Sequence, residues 1–160
     1  AKAAIEKYLD GRSIVYYAAW MDQRHEHIPY KHTVTVDEDN EPLSASKRPE
    51  LDGMNAIMRS LDRLEKRDMH PKDSIALDIK FIVHLIGDIH CPAHIVYPKT
   101  TRFFPVKLYA RRCRIIYKWA KKDDELDRPF INKAYPLAED LMLRASYRLA
   151  KLLNDIFSEE

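Results

Sequence analysis

Three residues in one short stretch, His84, Asp88 and His94, have the types and the spacing of metal ligands. His84 and Asp88 are four residues apart, so on an α-helix their side chains share one face about one turn apart. Imidazole nitrogen and carboxylate oxygen are both good zinc ligands. The same pair could instead form a hydrogen bond inside a core, and the spacing alone leaves both interpretations open. His94 follows Pro92, where the chain can fold back over the end of the helix.

The segment around this pair is the most apolar in the chain, and its pattern predicts a central, buried helix over residues 73–90 that Pro92 ends. A carboxylate buried there without a partner would be costly, which favours a functional explanation for Asp88. Gly87 would let another backbone or a ligand approach closely. His90 points away from the face that carries the pair, and we expect it to play a structural or supporting role.

The remaining apolar periodicity must supply the elements that position these residues. It predicts helices over residues 3–22, with a break at Asp10-Gly11, and over 53–67, 111–122 and 137–157. Residues 33–36 alternate as a short extended piece does. A total of five or six helices predicts an all-α fold, a compact single-domain helical bundle over residues 1–160 with a few short extended pieces.

Composition limits the function classes that remain. The 160 residues include 27 Lys and Arg and 25 Asp and Glu, a net charge of +2. This near-balance excludes a strongly basic nucleic-acid coat and an acidic disordered tail. The 46% of hydrophobic residues are enough to form a core, and only three glycines argue against a hairpin-rich fold or a glycine-lined phosphate loop. Seven histidines again raise the question of metal.

The two cysteines, Cys91 and Cys113, fit neither a Cys-rich zinc finger nor a scaffold with several disulfides. They could form one disulfide or remain two buried thiols, and because both flank the same return loop we expect them to lie close together. The chain has no run of 18 apolar residues, which predicts no membrane span. Residues 1–6 lack the apolar stretch of a signal peptide.

The 84–94 stretch resembles the metal signature H-x-x-x-D-x-x-x-x-x-H of the zinc-dependent single-strand nucleases of the S-one/P-one type, with Gly87, His90 and Pro92 also in register. Ala19-Trp20-Met21-Asp22 resembles the Trp-Ala-Asp segment of that family, whose Asp is a zinc ligand. The segment 31–37 resembles a family segment whose ligand corresponds to His32, and residues 135–157 resemble its closing helix. The likeness spans about residues 5–157.

The resemblance implies a compact, mostly helical enzyme, secreted or periplasmic, with the fold of zinc-dependent phospholipase C. Members hold up to three zinc ions, hydrolyse single-stranded DNA and RNA, and remove 3′-phosphates from nucleotides. By position, Asp22, His32, His84 and Asp88 would hold one zinc. Asp88 would also bridge to a neighbouring zinc and act as the catalytic residue, and His94 would serve the remaining ion.

This chain departs from the family pattern in three places. The family's mature chain begins with a Trp and a nearby His that bind zinc, and their lack here predicts that an N-terminal segment is missing. Ile116 and Ala120 stand where the family has a His and an Asp ligand, and the region that follows is compressed into residues 121–135. One four-ligand zinc set therefore remains complete.

These patterns together lead us to expect a zinc-dependent phosphodiesterase that acts on single-stranded nucleic acid or 3′-nucleotides. Because metal supplies positive charge, a net charge of +2 does not count against such a substrate. The alternatives are a degenerate, non-catalytic zinc-binding domain of the same family and a phospholipase C-like hydrolase. Candidate base-stacking aromatics, for which ordinary packing is the commoner role, are Tyr30, Tyr97, Phe103 and Phe104.

Overall fold

The computed structural model describes residues 1–23, 28–37, 41–91, 94–96, 119 and 125–158. This part of the chain is mostly helical, which confirms the all-α class. It contains four α-helices, three short 3₁₀ turns and a two-stranded parallel ladder. The helices are α1 (Lys2–Tyr8), α2 (Gly53–Glu65), α3 (Lys72–Asp88) and α4 (Arg128–Phe157); the turns are Ile14–Tyr17, Ala45–Lys47 and Arg67–Met69; the strands are β1 (Val34–Thr35) and β2 (Ile95–Val96).

Helix α3 lies at the centre of the fold, as its apolar pattern predicts, and packs against α1, α2 and α4. Ile75, Ile79, Ile82 and Leu85 along it are completely buried. Their removal from water is the main source of stability for such a helix. The helix ends at Asp88, two residues earlier than predicted, and Pro92 lies outside the described residues.

The predicted break near the N-terminus is confirmed. Helix α1 ends at Tyr8, and Asp10 (φ 52°) and Gly11 (φ 77°) adopt left-handed conformations, which end a helix. The chain then turns through the 3₁₀ segment to Met21, which is completely buried. Because Met21 directly precedes Asp22, burial of its side chain fixes the backbone next to this site residue.

The segment before β1 is fixed against the start of α2. The buried Asp52 carboxylate caps α2 by accepting from the Met54 N–H (2.9 Å) and also accepts from the N–H (2.7 Å) and Oγ1 (2.6 Å) of Thr35. Gly53 donates its N–H to the Thr33 carbonyl at 2.8 Å. Strand β1 then pairs with β2, Val34 opposite Ile95 and Thr35 opposite Val96.

Helices α2 and α3 are joined by a buried ion pair that the sequence did not indicate. Asp78 is completely buried; it accepts from Ser60 Oγ at 2.8 Å and from Arg63 Nε at 2.7 Å and Nη2. Ser60 therefore occupies the buried face of α2. Met58, which the predicted apolar stripe included, is instead 55% exposed.

Helix α4 is longer than predicted and begins nine residues earlier. Asp127 caps it by accepting from the Phe130 N–H at 2.8 Å, and Pro129 occupies the first turn, where proline is tolerated. Its C-terminal half packs into the core through Leu149, Leu153 and Phe157. In its N-terminal half the apolar stripe is confirmed only in part, since Leu141 is buried and packs with Leu137 whereas Met142 is 61% exposed.

Among the described residues, no helix combines the length and the apolar character needed to cross a bilayer. The helix predicted over 111–122 lies outside the described residues, apart from Trp119. Residues 125–127, at the end of the charged segment before α4, are exposed, as the charge pattern predicts.

Candidate metal centre

The fold brings all five predicted site residues together from four separate parts of the chain. Asp22 follows the buried Met21, His32 precedes β1, His84 and Asp88 occupy the last turns of α3, and His94 directly precedes β2. The large separation in sequence lies between His32 and His84, so only the tertiary packing of the N-terminal segments against α3 could bring Asp22 and His32 to the other three residues.

Four electron-pair donors from these residues lie close together, with the two carboxylates both next to the nitrogens of His32 and His84. His84 Nε2 lies 3.0 Å from Asp88 Oδ2, 3.1 Å from His32 Nδ1 and 3.7 Å from Asp22 Oδ1. His32 Nδ1 lies 3.2 Å from Asp88 Oδ2 and 3.3 Å from Asp22 Oδ1. The four atoms thus form a compact cluster rather than a chain of separate pairs.

The size of this cluster fits a small divalent cation. Zinc bonds to histidine nitrogen and carboxylate oxygen at about 2.0–2.2 Å, so four tetrahedral donors lie about 3.3–3.5 Å apart. The five separations that involve a histidine nitrogen, from 3.0 to 3.7 Å, span that value. The donor set and its dimensions therefore both suit tetrahedral zinc.

A backbone carbonyl fixes the orientation of His84. Its Nδ1 lies 2.6 Å from the carbonyl oxygen of Ala18, which can only accept, so Nδ1 carries a proton. In the neutral ring Nε2 then presents its lone pair to the cluster. Such a second hydrogen bond is the arrangement that orients metal-binding histidines. The contact also joins α3 to the segment that carries Asp22.

Two atoms of the site are shielded from solvent and lack a hydrogen-bond partner of acceptable geometry among the described residues, Asp88 Oδ2 and His94 Nδ1. Buried polar atoms are normally satisfied, and exceptions point to an ion or a ligand. The second carboxylate oxygen, Asp88 Oδ1, lies 3.9 Å from His94 Nδ1. Asp88 thus faces the four-donor cluster with one oxygen and His94 with the other, and with His32 these residues form a second group able to hold a cation.

For each of the three histidines, burial acts to lower the pKa and the nearby carboxylates act to raise it, and the net direction differs among them. Burial lowers the pKa of His32, and the attraction of Asp88 does not restore it. Burial also acts to lower the pKa of His84, but Asp88, the Ala18 carbonyl and Asp22 outweigh it and raise the pKa. The pKa of His94 is raised, chiefly by its interaction with the Cys91 side chain and, against burial, by Asp88.

The position of His32 depends on two residues that sequence reasoning missed, Asp52 and Gly53. Asp52 holds Thr35, and Gly53 packs so closely that a Cβ at its position would lie 2.9 Å from the Lys31 carbonyl oxygen. The Lys31 N–H in turn donates to the Leu51 carbonyl at 2.7 Å. The signal in the sequence is an Asp directly before an amphipathic run, which is typical of a helix N-cap.

His90 takes the structural role predicted for it. Its Nδ1 lies 2.7 Å from the Ile86 carbonyl oxygen and its Nε2 2.7 Å from Arg148 Nη1 on α4. Because the carbonyl accepts and the guanidinium donates, the ring is neutral with its proton on Nδ1. Burial, with a further contribution from Arg148, lowers the pKa of His90 and favours this state.

No backbone among the described residues approaches Gly87 closely, since a Cβ added to this glycine would meet no neighbouring atom within 4 Å; the close approach of a ligand there stays a prediction. Tyr30 packs edge-on against Phe81, and its hydroxyl accepts from Arg59 Nη1 at 2.8 Å. Several residues that the sequence singles out lie outside the described residues: Tyr97, Phe103, Phe104, Cys113, Ile116 and Ala120.

No protein-family model matches the chain, and no curated protein sequence matches it significantly. The function must therefore be inferred from the residues and their geometry.

Proposed function

We propose that the chain is a zinc-dependent phosphodiesterase that hydrolyses single-stranded DNA or RNA and removes 3′-phosphates from nucleotides. One observation carries the proposal: among the donor atoms of Asp22, His32, His84 and Asp88, the five distances that involve a histidine nitrogen lie between 3.0 and 3.7 Å, at the size of a zinc coordination shell. The resemblance of the 84–94 stretch to the single-strand nucleases supplies the reaction class.

Each residue has a distinct task in this proposal. His84, held by the Ala18 carbonyl, would present Nε2 in a fixed direction. His32 and Asp22 would complete the four-donor set. Asp88 would face that set with Oδ2 and the His94 side with Oδ1, which is the arrangement of a bridging carboxylate. His94, held near Cys91, would contribute to a second cation.

The site is open on one side, where a substrate could enter. The Asp22 side chain is 61% exposed, whereas those of Asp88 and His84 are 15% and 3% exposed. When bound, zinc supplies a Lewis acid for the phosphate and a water of near-neutral pKa. The protein's own part is to hold His84 and Asp88 on α3, to hold the other donors on segments that flank it, and to leave the Asp22 side accessible.

A second candidate function is a non-catalytic zinc-binding domain. Structural zinc sites are closed by four protein ligands, whereas catalytic sites keep an open position. The four protein donors of Asp22, His32, His84 and Asp88 therefore favour this second candidate. The two candidates differ in the number of ions and in whether the second group, around Asp88 Oδ1 and His94, holds metal.

The test combines metal counting with a cleavage assay. Purified protein is freed of metal with a chelator, titrated with zinc, and its bound zinc is measured by elemental analysis. The same samples are then incubated with single-stranded DNA. Asp88→Asn keeps the shape of the side chain but removes its charge. Asp73→Asn, an exposed Asp in the first turn of the same helix, is the matched control.

We expect at least two zinc ions per chain, cleavage of single-stranded DNA, and loss of both in Asp88→Asn but not in Asp73→Asn. One tightly bound zinc without cleavage would overturn the phosphodiesterase and support the non-catalytic candidate. No bound zinc would overturn both.

A further inference from the structure

A cavity of about 530 Å³ lies next to the metal centre but is lined by other residues. Trp20 and Tyr30 line it, and each precedes a residue of the metal centre, Asp22 and His32, by two positions. Residues two positions apart have Cα atoms no more than about 7 Å from each other. Phe81, which forms another wall, lies three residues before His84 on α3. The same segments thus shape both the metal centre and this cavity, which we call the aromatic cavity.

The rings of the aromatic cavity are arranged to receive a flat ligand. Trp20 and Tyr30 both stand edge-on to Phe81, with centroid distances of 6.1 and 5.7 Å and interplanar angles of 71° and 88°. Phe81 is buried, whereas Trp20 and Tyr30 are half-buried and keep part of their surface accessible. Phe81 therefore forms a floor, and the two outer rings offer faces on which a planar ring can stack.

Three cationic side chains surround these rings. Arg63 lines the cavity, Arg59 donates to the Tyr30 hydroxyl, and Lys80 Nζ lies 5.4 Å from the centroid of the Trp20 ring. Arg63 is held in place because Asp78 accepts from its Nε and Nη2. Asp78, which balances part of this charge, is completely buried. The cavity is therefore lined by aromatic rings and the paired Arg63, and Arg59 and Lys80 contact two of those rings from outside the lining.

A planar aromatic ring that carries a negative group matches this combination of stacking faces and cations. We propose that the aromatic cavity binds one nucleotide of the substrate, with its base stacked on Tyr30 beside Trp20 and its phosphate facing Arg59 and Arg63. The identification of the ring as a nucleobase rests on the proposed function. The cavity would hold a nucleotide that neighbours the one at the metal centre, and so favour substrates longer than a single nucleotide.

The test measures nucleotide binding without metal, so that its outcome is independent of hydrolysis. Trp20 and Trp119 are the two tryptophans of the chain, and Trp119→Phe leaves Trp20 as the only indole reporter. This variant, in excess chelator, is titrated with 2′-deoxyadenosine 5′-monophosphate while tryptophan fluorescence is recorded. Deoxyadenosine and inorganic phosphate are titrated separately. Free N-acetyltryptophanamide corrects for absorption by the ligand.

We expect saturable quenching by the nucleotide, weaker binding of the nucleoside, and little effect of phosphate alone. Adding Tyr30→Ala should weaken nucleotide binding about tenfold, since one stacking contact is lost, whereas Tyr30→Phe, which retains the ring, should bind like the parent. Tyr147→Ala, an exposed tyrosine on α4, is the matched control and should not change binding.

Absence of saturable quenching, or equal binding by the parent and the Tyr30→Ala variant, would overturn the aromatic cavity as a nucleotide site. Zinc content of the Tyr30→Ala variant, measured in parallel, should equal that of the parent. Loss of nucleotide binding with normal zinc content would therefore concern the cavity alone. Failure of the proposed function would appear instead in the zinc count and in the cleavage of single-stranded DNA.

Discussion

Replacement of Asp52 by Ala should destabilise the fold and weaken the metal centre together. The Asp52 carboxylate is 2% exposed and accepts three hydrogen bonds, one from the start of α2 and two from Thr35 of β1. Thr35 lies three residues after His32, so the same carboxylate that caps the helix also fixes the segment that carries a site residue. Asp52→Ala removes all three interactions and leaves no acceptor in their place.

The expected loss can be worked out from these contacts. The helix cap contributes about 1 kcal/mol to the free energy of unfolding. Each of the two hydrogen bonds to Thr35 contributes about 1.5 kcal/mol, which is the lower end for a charged acceptor because Thr35 is half-buried. Relief from burying the charge offsets about 1 kcal/mol, which leaves a net loss of about 3 kcal/mol. With a urea m-value of about 2 kcal/mol/M, the midpoint of unfolding should fall by about 1.5 M.

Urea denaturation of the metal-free protein, followed by circular dichroism, measures this loss. Thr35→Val is the partial control, because it removes only the hydroxyl bond and should cost about 1 kcal/mol. The double variant should cost less than the sum of the two single changes, since the residues interact directly. Zinc affinity of Asp52→Ala should fall about tenfold, as for other residues that support metal ligands. A loss below about 1 kcal/mol with unchanged zinc affinity would refute the reasoning.

Three further predictions follow from the same contacts. Asp88→Ala should lower bound zinc more than any other single change, because its two oxygens face two groups of donors; unchanged zinc content by elemental analysis would reject this arrangement. Gly53→Ala should lower the free energy of unfolding, measured in urea, by about 1–3 kcal/mol, because its Cβ would meet a backbone oxygen at 2.9 Å. Gly87→Ala, whose Cβ would enter open space, should instead raise it by up to about 1 kcal/mol. Equal effects would contradict that contrast. Asp78→Asn should lower the free energy of unfolding in urea by about 3 kcal/mol, because it removes the charge opposite the partly buried guanidinium of Arg63. Ser60→Ala removes only one hydrogen bond to Asp78 and should cost less, and the reverse order would count against the ion pair.

The helices could be predicted well wherever apolar residues recur with helical spacing. The central position of α3, the break at Asp10-Gly11 and the existence of α2 all follow from local pattern and from backbone conformation. The start of α4 could not be predicted from the apolar pattern. Its first nine residues form a helix after the Asp127 cap and not through an apolar stripe. The exposure of Met58 and Met142 also escaped prediction, since a helical stripe does not show how much of it a neighbour covers.

The sequence by itself determined which residues could bind metal, because residue type and the four-residue spacing of His84 and Asp88 are local properties of a helix. Whether Asp22 and His32 join them depends on how two distant segments pack on α3, and only the tertiary structure decided this. The Ala18 carbonyl, the Asp52 carboxylate and Gly53 complete the arrangement through contacts that no periodicity records. Such contacts are set by backbone direction and close packing, which arise only when the whole core is assembled.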